Sequence, residues 1–310
     1  MVYFIVKNWV RLALPLFTKK VRIFNKEHLN VTGPTVLAVN HPNALFDAML
    51  VGSQMQQGTW FITRGDVFKN PNIRKFLYKL KMIPIYRIRD GKDKLFLNDE
   101  SQEKSIEALK NNETLLIFVE GLCENQKELI LPLKKGGPRI MQSCWNDNID
   151  VKVIPVWLEY SSYKMFGKTI DIRFGKPFDK SIQDGSLSAA AGINQINAET
   201  TKQLLELSNN EAYNYRPLKA GTGLKVLLAI PALLGAILHA PLYLPLQSFV
   251  KKKTAGSVFY DSILFALLLI LYPIYLIIFC GVLTGITDWY GAWWGMIVLP
   301  VLAKCYVTWK

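Results

Sequence analysis

Residues 40–47 (NHPNALFD) place a histidine, His41, six positions before a carboxylate, Asp47. A histidine can take a proton from an alcohol because its unperturbed pKa lies near physiological pH. A carboxylate bonded to the other ring nitrogen would fix the tautomer and stabilise the imidazolium. The segment therefore suits general-base chemistry on a hydroxyl group; a histidine that caps a helix beside the core is the alternative.

The spacing restricts where His41 can lie. Within one helix, a separation of six would put the two side chains about 120° apart, too far to pair. Pro42 favours His41 in the loop before a helix predicted over 44–53, from which it can fold back toward Asp47. A strand predicted over 35–39 precedes this loop, and a strand-to-helix junction is a common place for active-site groups.

Two further strand ends carry polar residues. Arg87, with Arg89 close behind, follows the apolar run 83–86, and its planar fork can bind a phosphate. A solvated arginine is the alternative. Glu120 and Gly121 end an apolar strand predicted over 114–119. The glutamate could bond substrate hydroxyls or hold a basic residue, and the glycine permits close approach to the backbone.

A basic turn and a proline-containing strand follow. Lys134 and Lys135 precede a glycine at the start of a helix predicted over 136–145. Free amides and the helix dipole would add to their charge in binding an anion; a solvated basic turn is the alternative. Pro155 lies within a strand predicted over 151–158, which implies an edge strand or a bulge.

Strands alternate with helices along the first two thirds of the chain. This order predicts an α/β domain, a mostly parallel sheet flanked by helices. The remaining predicted strands are 21–24, 59–63 and 82–86, and the remaining predicted helices are 72–80 and 99–110.

The net charge of +13 favours an anionic partner. Nucleic acid is disfavoured, because the chain has neither a basic recognition helix nor zinc-finger spacing. An anionic membrane or a phosphorylated substrate remains. The four cysteines form no CxxC pair, which argues against a disulfide framework or a zinc site.

Both ends of the chain are apolar. Residues 1–16 predict an amphipathic helix on the membrane surface, with packing against the protein's own core as the alternative. Three apolar runs follow position 224. The prolines in 224–250 predict a re-entrant hairpin turning near 239–245, and runs 258–284 and 292–307 predict two transmembrane helices. We therefore divide the chain into a membrane-surface segment (1–30), a catalytic domain (31–220) and a C-terminal membrane region (221–310).

The order of these segments resembles the four motifs of the glycerolipid acyltransferase family, which includes the lysophosphatidate acyltransferases. That family pairs a histidine with an aspartate in its first motif and carries a substrate-phosphate arginine in its second. Its third motif has a Phe-Pro-Glu-Gly core, similar to residues 118–121 here (FVEG), and its fourth is an apolar stretch around a proline. The resemblance spans roughly residues 20–215.

The sequence departs from the family pattern at three points. The gap between His41 and Asp47 is one residue longer than usual, as in a subgroup that includes fungal-type glycerol-3-phosphate acyltransferases. Val119 replaces the proline of the third motif, and residues 122–124 (LCE) replace its usual Thr-Arg-Ser. These changes affect the prediction of the acceptor substrate more than the prediction of the reaction type.

The resemblance implies roles for the site residues. His41 would be the general base, supported by Asp47, and the acyl donor would be acyl-CoA or acyl-carrier protein. The acceptor would be 1-acylglycerol 3-phosphate, giving phosphatidic acid in phospholipid biosynthesis, with glycerol 3-phosphate as the alternative. Neither a metal ion nor a cofactor is implied. The residues expected to bind substrate are Arg87, Glu120, Gly121, Arg64, Lys135 and Pro155.

Two rival functions belong to other classes. A membrane scaffold that binds lipid without catalysis would not need the histidine–aspartate pair. A serine or cysteine hydrolase lacks support, because no GxSxG elbow occurs in the chain. Since acyl donors are cytosolic, the expected location is the cytoplasmic membrane, with the catalytic domain facing the cytosol and membrane lipids around the C-terminal helices.

Overall fold

A mixed β-sheet carries the predicted motifs. The computed structural model describes residues 1–30, 32–87, 91, 95–183, 188–210 and 221–310, so Arg89 lies outside the described residues. Within them the sheet has seven strands in the order β1-β7-β6-β2-β5-β3-β4. Their bounds are β1 Thr18–Phe24, β2 Thr35–Val39, β3 Thr59–Arg64, β4 Met82–Ile85, β5 Thr114–Phe118, β6 Lys152–Tyr160 and β7 Lys168–Phe174.

The central strand β2 is parallel to both neighbours, β5 and β6. Strands β3 and β4 continue the parallel arrangement on one side, and only the β6–β7 pair is antiparallel among the named strands. Alternate residues of β2 pack into different layers, Leu37 and Val39 on one face and Val36 and Ala38 on the other. Both faces are thus covered, which explains why this strand is apolar throughout.

Helices flank the sheet as predicted. One face is covered by α1 (Val2–Phe17) and α2 (Ala44–Gln54), and the other by α5 (Gly136–Asn146) and α6 (Ala189–Asn209). Helices α3 (Pro71–Lys79) and α4 (Leu97–Lys110) connect the strands at the β4 side. The predicted α/β class is confirmed, whereas α6 was not among the predicted elements.

Helix α1 has one face in the protein core and a second face exposed. Val10, Leu14 and Phe17 are buried in the core cluster that also contains residues of β2 and α2. On its other side Ile5 and Leu12 are exposed. The helix therefore packs on the protein's own core and presents a second apolar face outward.

Pro155 lies inside the sheet, which corrects part of the prediction. Strand β6 pairs with β2 on one side and β7 on the other, so it is not an edge strand. The bulge alternative describes the site better. Strand β7 ends at Phe174, the Gly175 N–H donates to the Pro155 carbonyl, and pairing with β6 resumes at Phe178 opposite Val153. The missing N–H of Pro155 falls at this interruption, where no regular ladder bond is lost.

The predicted re-entrant hairpin is wrong. Residues Thr222–Lys253 form one continuous helix, α7, with Pro231, Pro241 and Pro245 inside it. Each proline removes one helical hydrogen bond. A chain reversal in apolar surroundings would leave many more peptide groups without partners, each at a cost of several kcal/mol. Continuing the helix is therefore the cheaper solution.

Two further apolar helices complete the chain, α8 (Tyr260–Thr287) and α9 (Gly295–Trp309). In the described part of the chain, three helical segments are long and apolar enough to cross a membrane: Thr222–Lys253, Tyr260–Thr287 and Tyr290–Trp309. Most of their surface is not covered by the protein, and many of their large apolar side chains are exposed.

Both ends of α7 contact the α/β domain or its immediate neighbours. Val250 is buried in the same core cluster as residues of the sheet. At the other end, the Lys225 ammonium lies 5.9 Å from the ring of Trp309 in α9. The pKa of Lys19, at the start of β1, is lowered by burial and further by nearby Lys225. Although the predicted hairpin is absent, both ends of α7 lie next to the α/β domain.

Candidate active site

His41 lies in the loop between β2 and α2, as the spacing predicted. Its Nδ1 is 3.0 Å from Oδ2 of Asp47, in the first turn of α2. The Asp47 carboxylate is fully buried, whereas 18% of the His41 side chain is exposed. Because Asp47 occupies Nδ1, an exchange of protons with a substrate would use Nε2. The geometry is that of a base oriented by a carboxylate.

Asp47 is held by two more donors. Its Oδ2 accepts the Asn43 N–H at 2.7 Å, and its Oδ1 accepts the Tyr160 hydroxyl at 2.5 Å. Burial, and the Asp47 charge after it, raise the pKa of Tyr160 well above its usual value, so Tyr160 remains a neutral donor. Sequence reasoning did not include Tyr160. The only signal was a tyrosine near the end of an apolar strand, where a buried hydroxyl requires a partner.

The imidazole is also fixed by stacking. The rings of His41 and Phe118 are nearly parallel, with centroids 3.7 Å apart and an interplanar angle of 16°. Phe118 ends β5 and pairs in register with Val39, the last residue of β2. Adjacent strand ends therefore supply the base and the surface that supports its ring.

Glu120 connects two loops through backbone groups. Its Oε1 accepts the His41 N–H at 2.6 Å and its Oε2 accepts the Ile130 N–H at 2.8 Å. Burial raises the pKa of Glu120, and these two donors act in the opposite direction. Glu120 therefore holds a basic residue, but it does so through the backbone N–H of His41. A contact of Glu120 with substrate stays a prediction.

Gly121 meets the predicted requirement for glycine. Its φ of +63° is unfavourable for other residues, and an added Cβ would lie 2.6 Å from Cγ of Lys134. The Lys134 side chain thus passes beside the third motif. Lys135 is the exposed N-cap residue of α5. Of the two lysines, Lys134 is the one placed against a site residue.

The loop after Gly121 covers the His41 loop. The Cys123 Sγ accepts the Ala44 N–H at 3.0 Å, and the Asn125 side-chain amide donates to the Pro42 carbonyl at 2.7 Å. Burial, with Asp47 as the next cause, raises the pKa of Cys123 to about 12. The thiol therefore stays protonated near neutral pH, which disfavours it as a nucleophile.

The two candidate arginines lie at or just after the ends of adjacent strands. Arg64 ends β3 and pairs in register with Ile85, the last residue of β4, two positions before Arg87. Strands are about 4.8 Å apart, so β2 and β4, three spacings apart, are separated by roughly 14 Å. The residue before Arg87, Tyr86, is fixed by two hydrogen bonds between its backbone and the Asn98 side chain. A phosphate at Arg87 would thus lie along the same sheet edge as His41 but some distance from it.

Arg64 and Pro155 are less favourable binding residues than predicted. The Arg64 fork is bonded to both carboxylate oxygens of Asp66, at 3.1 and 2.5 Å. This pair is exposed, so a phosphate could compete for the arginine. Pro155 is buried in β6, in register with Ala38 of β2, the strand that leads to His41. Among the described residues, no group of three or more His, Cys, Asp or Glu side chains is arranged to hold a metal ion.

The residues of this site lie in a segment that matches a known protein family. Residues 20–159 match the family model described as Acyltransferase, and the segment contains His41, Asp47, Arg87 and Glu120. A comparison with curated proteins finds no match. One similar solved structure is the 1-acyl-sn-glycerophosphate (LPA) acyltransferase PlsC from Thermotoga maritima, with 17% identity, covering 69% of this chain and 81% of that chain at a TM-score of 0.49. The match of residues 20–159 to an acyltransferase family supports the glycerolipid acyltransferase resemblance that the motifs indicated.

Proposed function

We propose that this protein transfers a fatty acyl group from a thioester donor, acyl-CoA or acyl-carrier protein, to the hydroxyl of 1-acylglycerol 3-phosphate. The observation that carries the proposal is the contact between His41 Nδ1 and the buried Asp47 carboxylate, within a matched acyltransferase domain. An inactive lipid-binding scaffold would have no need of this contact, nor of the Asn43 and Tyr160 bonds that fix Asp47.

The pair supports a direct transfer. Nε2 of His41 takes the proton of the acceptor hydroxyl while the hydroxyl oxygen attacks the thioester carbonyl. Asp47 stabilises the imidazolium that forms. The tetrahedral intermediate collapses with cleavage of the C–S bond, and the departing thiolate receives the proton from His41. The products are an ester and a free thiol, and no acyl-enzyme forms.

Basic residues along the carboxyl edge of the sheet suit a phosphorylated acceptor. Arg87 is the first candidate for the phosphate, because a guanidinium can bind phosphate oxygens with two bonds. Lys134 and Lys135 lie at the start of α5, beyond Gly121. Glycerol 3-phosphate is the second candidate acceptor. It is favoured by the longer interval between His41 and Asp47, which the loop before α2 accommodates.

The apolar helices would keep the domain at the surface where lipid acceptors are found. Helices α7, α8 and α9 expose apolar side chains, as does the outer face of α1. We place the protein in the cytoplasmic membrane with the catalytic domain on the cytosolic side, where the acyl donors are. The α/β domain, α1 and the C-terminal helices would then act as one membrane-bound enzyme.

The proposal is tested by measuring thiol release and lipid products together. The purified full chain in lipid nanodiscs is given an acyl-CoA or an acyl-carrier protein donor with a panel of acceptors, and the products are identified by mass spectrometry. Thiol release that depends on 1-acylglycerol 3-phosphate, with phosphatidic acid as the product, supports the proposal. Equal thiol release without any acceptor indicates a hydrolase, and no release with any donor or acceptor indicates a scaffold.

A further inference from the structure

The first turn of helix α8 reaches the histidine loop. The Asp261 carboxylate is fully buried, and its Oδ2 accepts a hydrogen bond of 2.7 Å from the side-chain amide of Asn43. The same oxygen bonds the ammonium group of Lys168, at the start of β7. All three side chains are shielded from solvent. A residue of an apolar membrane helix thus shares a buried polar network with the loop that carries His41.

The next residue of α8 provides a second contact. Ser262 Oγ accepts the backbone N–H of Phe46, in the first turn of α2, at 3.0 Å. Its hydroxyl donates to the Asn43 carbonyl at 3.4 Å. Helix α2 has no side-chain cap from its own N-cap residue, Asn43. The first N–H groups of a helix need acceptors from elsewhere, and here α8 supplies one of them.

Asn43 connects this network to the reacting pair. Its side chain bonds Asp261, and its backbone N–H bonds Oδ2 of Asp47, the atom that also contacts His41 Nδ1. A displacement of Asn43 would therefore move the carboxylate that orients the base. Small errors in such placement lower the rate of the chemical step more than they lower binding.

One buried cation, Lys168, offsets part of the negative charge around Asn43. The carboxylates of Asp47 and Asp261 lie on its two sides, and the Tyr160 hydroxyl bonds Asp47. Lys168 bonds Asp261, and its ammonium lies 5.9 Å from the Phe17 ring. A buried carboxylate is tolerated when it is paired and hydrogen-bonded. The ion pair thus allows an acceptor for Asn43 in an otherwise apolar layer.

We infer that Asp261 and Ser262 are positioning residues of the acyl-transfer site, acting through Asn43 and the start of α2. This inference rests on the proposed role of His41 and Asp47. Both residues lie outside the segment that matches the acyltransferase family, residues 20–159. In this chain the membrane region is therefore a structural part of the catalytic centre as well as an anchor.

Two matched double variants test the contact without leaving an unpaired buried charge. K168M/D261N removes the ion pair but keeps an amide oxygen that can accept the Asn43 bond. K168M/D261L removes the ion pair and the acceptor together. We expect kcat of K168M/D261L to be at least about tenfold lower than that of K168M/D261N. The acceptor KM should be similar in the two, and the unfolding temperature of K168M/D261L should be only modestly lower, because its buried Asn43 amide loses an acceptor.

A difference in kcat of less than tenfold between the two doubles, or one that appears only in KM, would overturn the role of Asp261. Ser262→Ala tests the same contact with the ion pair intact, and we expect kcat to fall about fivefold with little change in KM. Unchanged kcat in this variant would overturn the role of Ser262. The result is separable from the proposed function: if His41→Ala abolishes turnover while the doubles are equal, only the inference fails.

Discussion

At the scale of single residues, the central prediction concerns the base. His41→Ala should lower kcat by at least about a hundredfold, the usual effect of losing a positioned general base. His28→Ala is a suitable control, because His28 contacts the Phe174 carbonyl, away from the described site. Thiol release by the two purified variants is the measurement, with circular dichroism to confirm folding. Near-normal turnover of His41→Ala would remove this residue from the mechanism.

Arg87 is expected to act on the acceptor rather than on the chemical step. Arg87→Ala should raise the acceptor KM by about tenfold or more, because hydrogen bonds to charged groups are the stronger ones. Arg87→Lys should recover only part of the loss, since an ammonium cannot reproduce the planar fork.

The comparison variant for Arg87 is Arg64→Ala. The Arg64 fork is already bonded to Asp66, so we expect a smaller rise in acceptor KM. Steady-state kinetics with varied acceptor and then varied donor distinguish the roles. An effect of Arg87→Ala confined to the donor KM would assign Arg87 to the thioester side.

Cys123 allows a test based on its raised pKa. With a pKa of about 12, only about one thiol in ten thousand is ionised at pH 8. We therefore expect slow alkylation by N-ethylmaleimide in the native protein and fast alkylation after unfolding, followed by peptide mass spectrometry. The rate should rise about tenfold per pH unit between pH 7 and 10. Rapid modification of the native thiol at pH 7 would contradict the raised pKa.

At the scale of elements, the sequence was most informative where the contacts are local. The order of strands and helices, the loop position of His41 and its contact with Asp47 all follow from residues close together in the chain. Tyr160 and Asp261 approach this loop from 113 and 218 positions away, respectively, measured from Asp47 and Asn43. Such pairings depend on strand order and helix docking, which local patterns do not specify.

The hairpin prediction for residues 224–250 was wrong for a related reason. The positions of the prolines in α7 are local information, but the solvent around them is not. In water an internal proline costs about 3 kcal/mol or more and often ends a helix. In apolar surroundings, breaking the helix would leave peptide groups without hydrogen-bond partners, which costs more free energy than the proline does. The same weighing of local against tertiary effects explains Pro155, whose missing N–H is placed at the interruption in the pairing of β6 with β7.

Packing between α7 and α9 can be tested at Gly235. A Cβ added there would lie 2.3 Å from the backbone oxygen of Leu302, so the two helices would have to separate. We expect Gly235→Ala to destabilise the protein by about 1–3 kcal/mol, the usual effect of overpacking.

Gly281→Ala is the matched control for Gly235→Ala. Gly281 lies inside the apolar helix α8, and no atom lies close to its Cβ position. There we expect no loss of stability. Thermal unfolding in the same detergent, followed by tryptophan fluorescence, compares the two variants. Equal unfolding temperatures would show that α7 and α9 do not approach closely at Gly235.

At the scale of the whole molecule, the positions of the ends of α8 and α9 suggest a membrane arrangement. The start of α8 bonds Asn43, and Lys304 near the end of α9 bonds the carbonyls of Pro15, Thr18 and Lys19. Both helices thus meet the domain at one end. The other ends are joined by residues 288–294, where four aromatic side chains are exposed. We propose that α8 and α9 cross outward and back, while α7 stays beside the domain.

Single cysteines at Lys252 and Asp288, in a chain without other cysteines, test this arrangement. An impermeant thiol reagent applied to intact cells should label position 288 and leave position 252 unmodified until the membrane is permeabilised. This result would keep the three lysines 251–253 on the cytosolic side, as the distribution of positive charge in membrane proteins favours. Labelling at 252 from outside would make α7 a true span, and protection at 288 would place α8 and α9 on one side of the membrane.

Helix α1 limits how far the chain can be shortened. Its inner face contributes Val10, Leu14 and Phe17 to the core, while Ile5 and Leu12 on its outer face are exposed. A chain shortened to begin at Thr18 would lose its fold, because each large core side chain removed costs about 2–5 kcal/mol, whereas α7, α8 and α9 would keep their exposed apolar surface. Polar substitutions at the outer positions of α1, with the helix itself retained, should therefore weaken its contact with lipid without unfolding the domain.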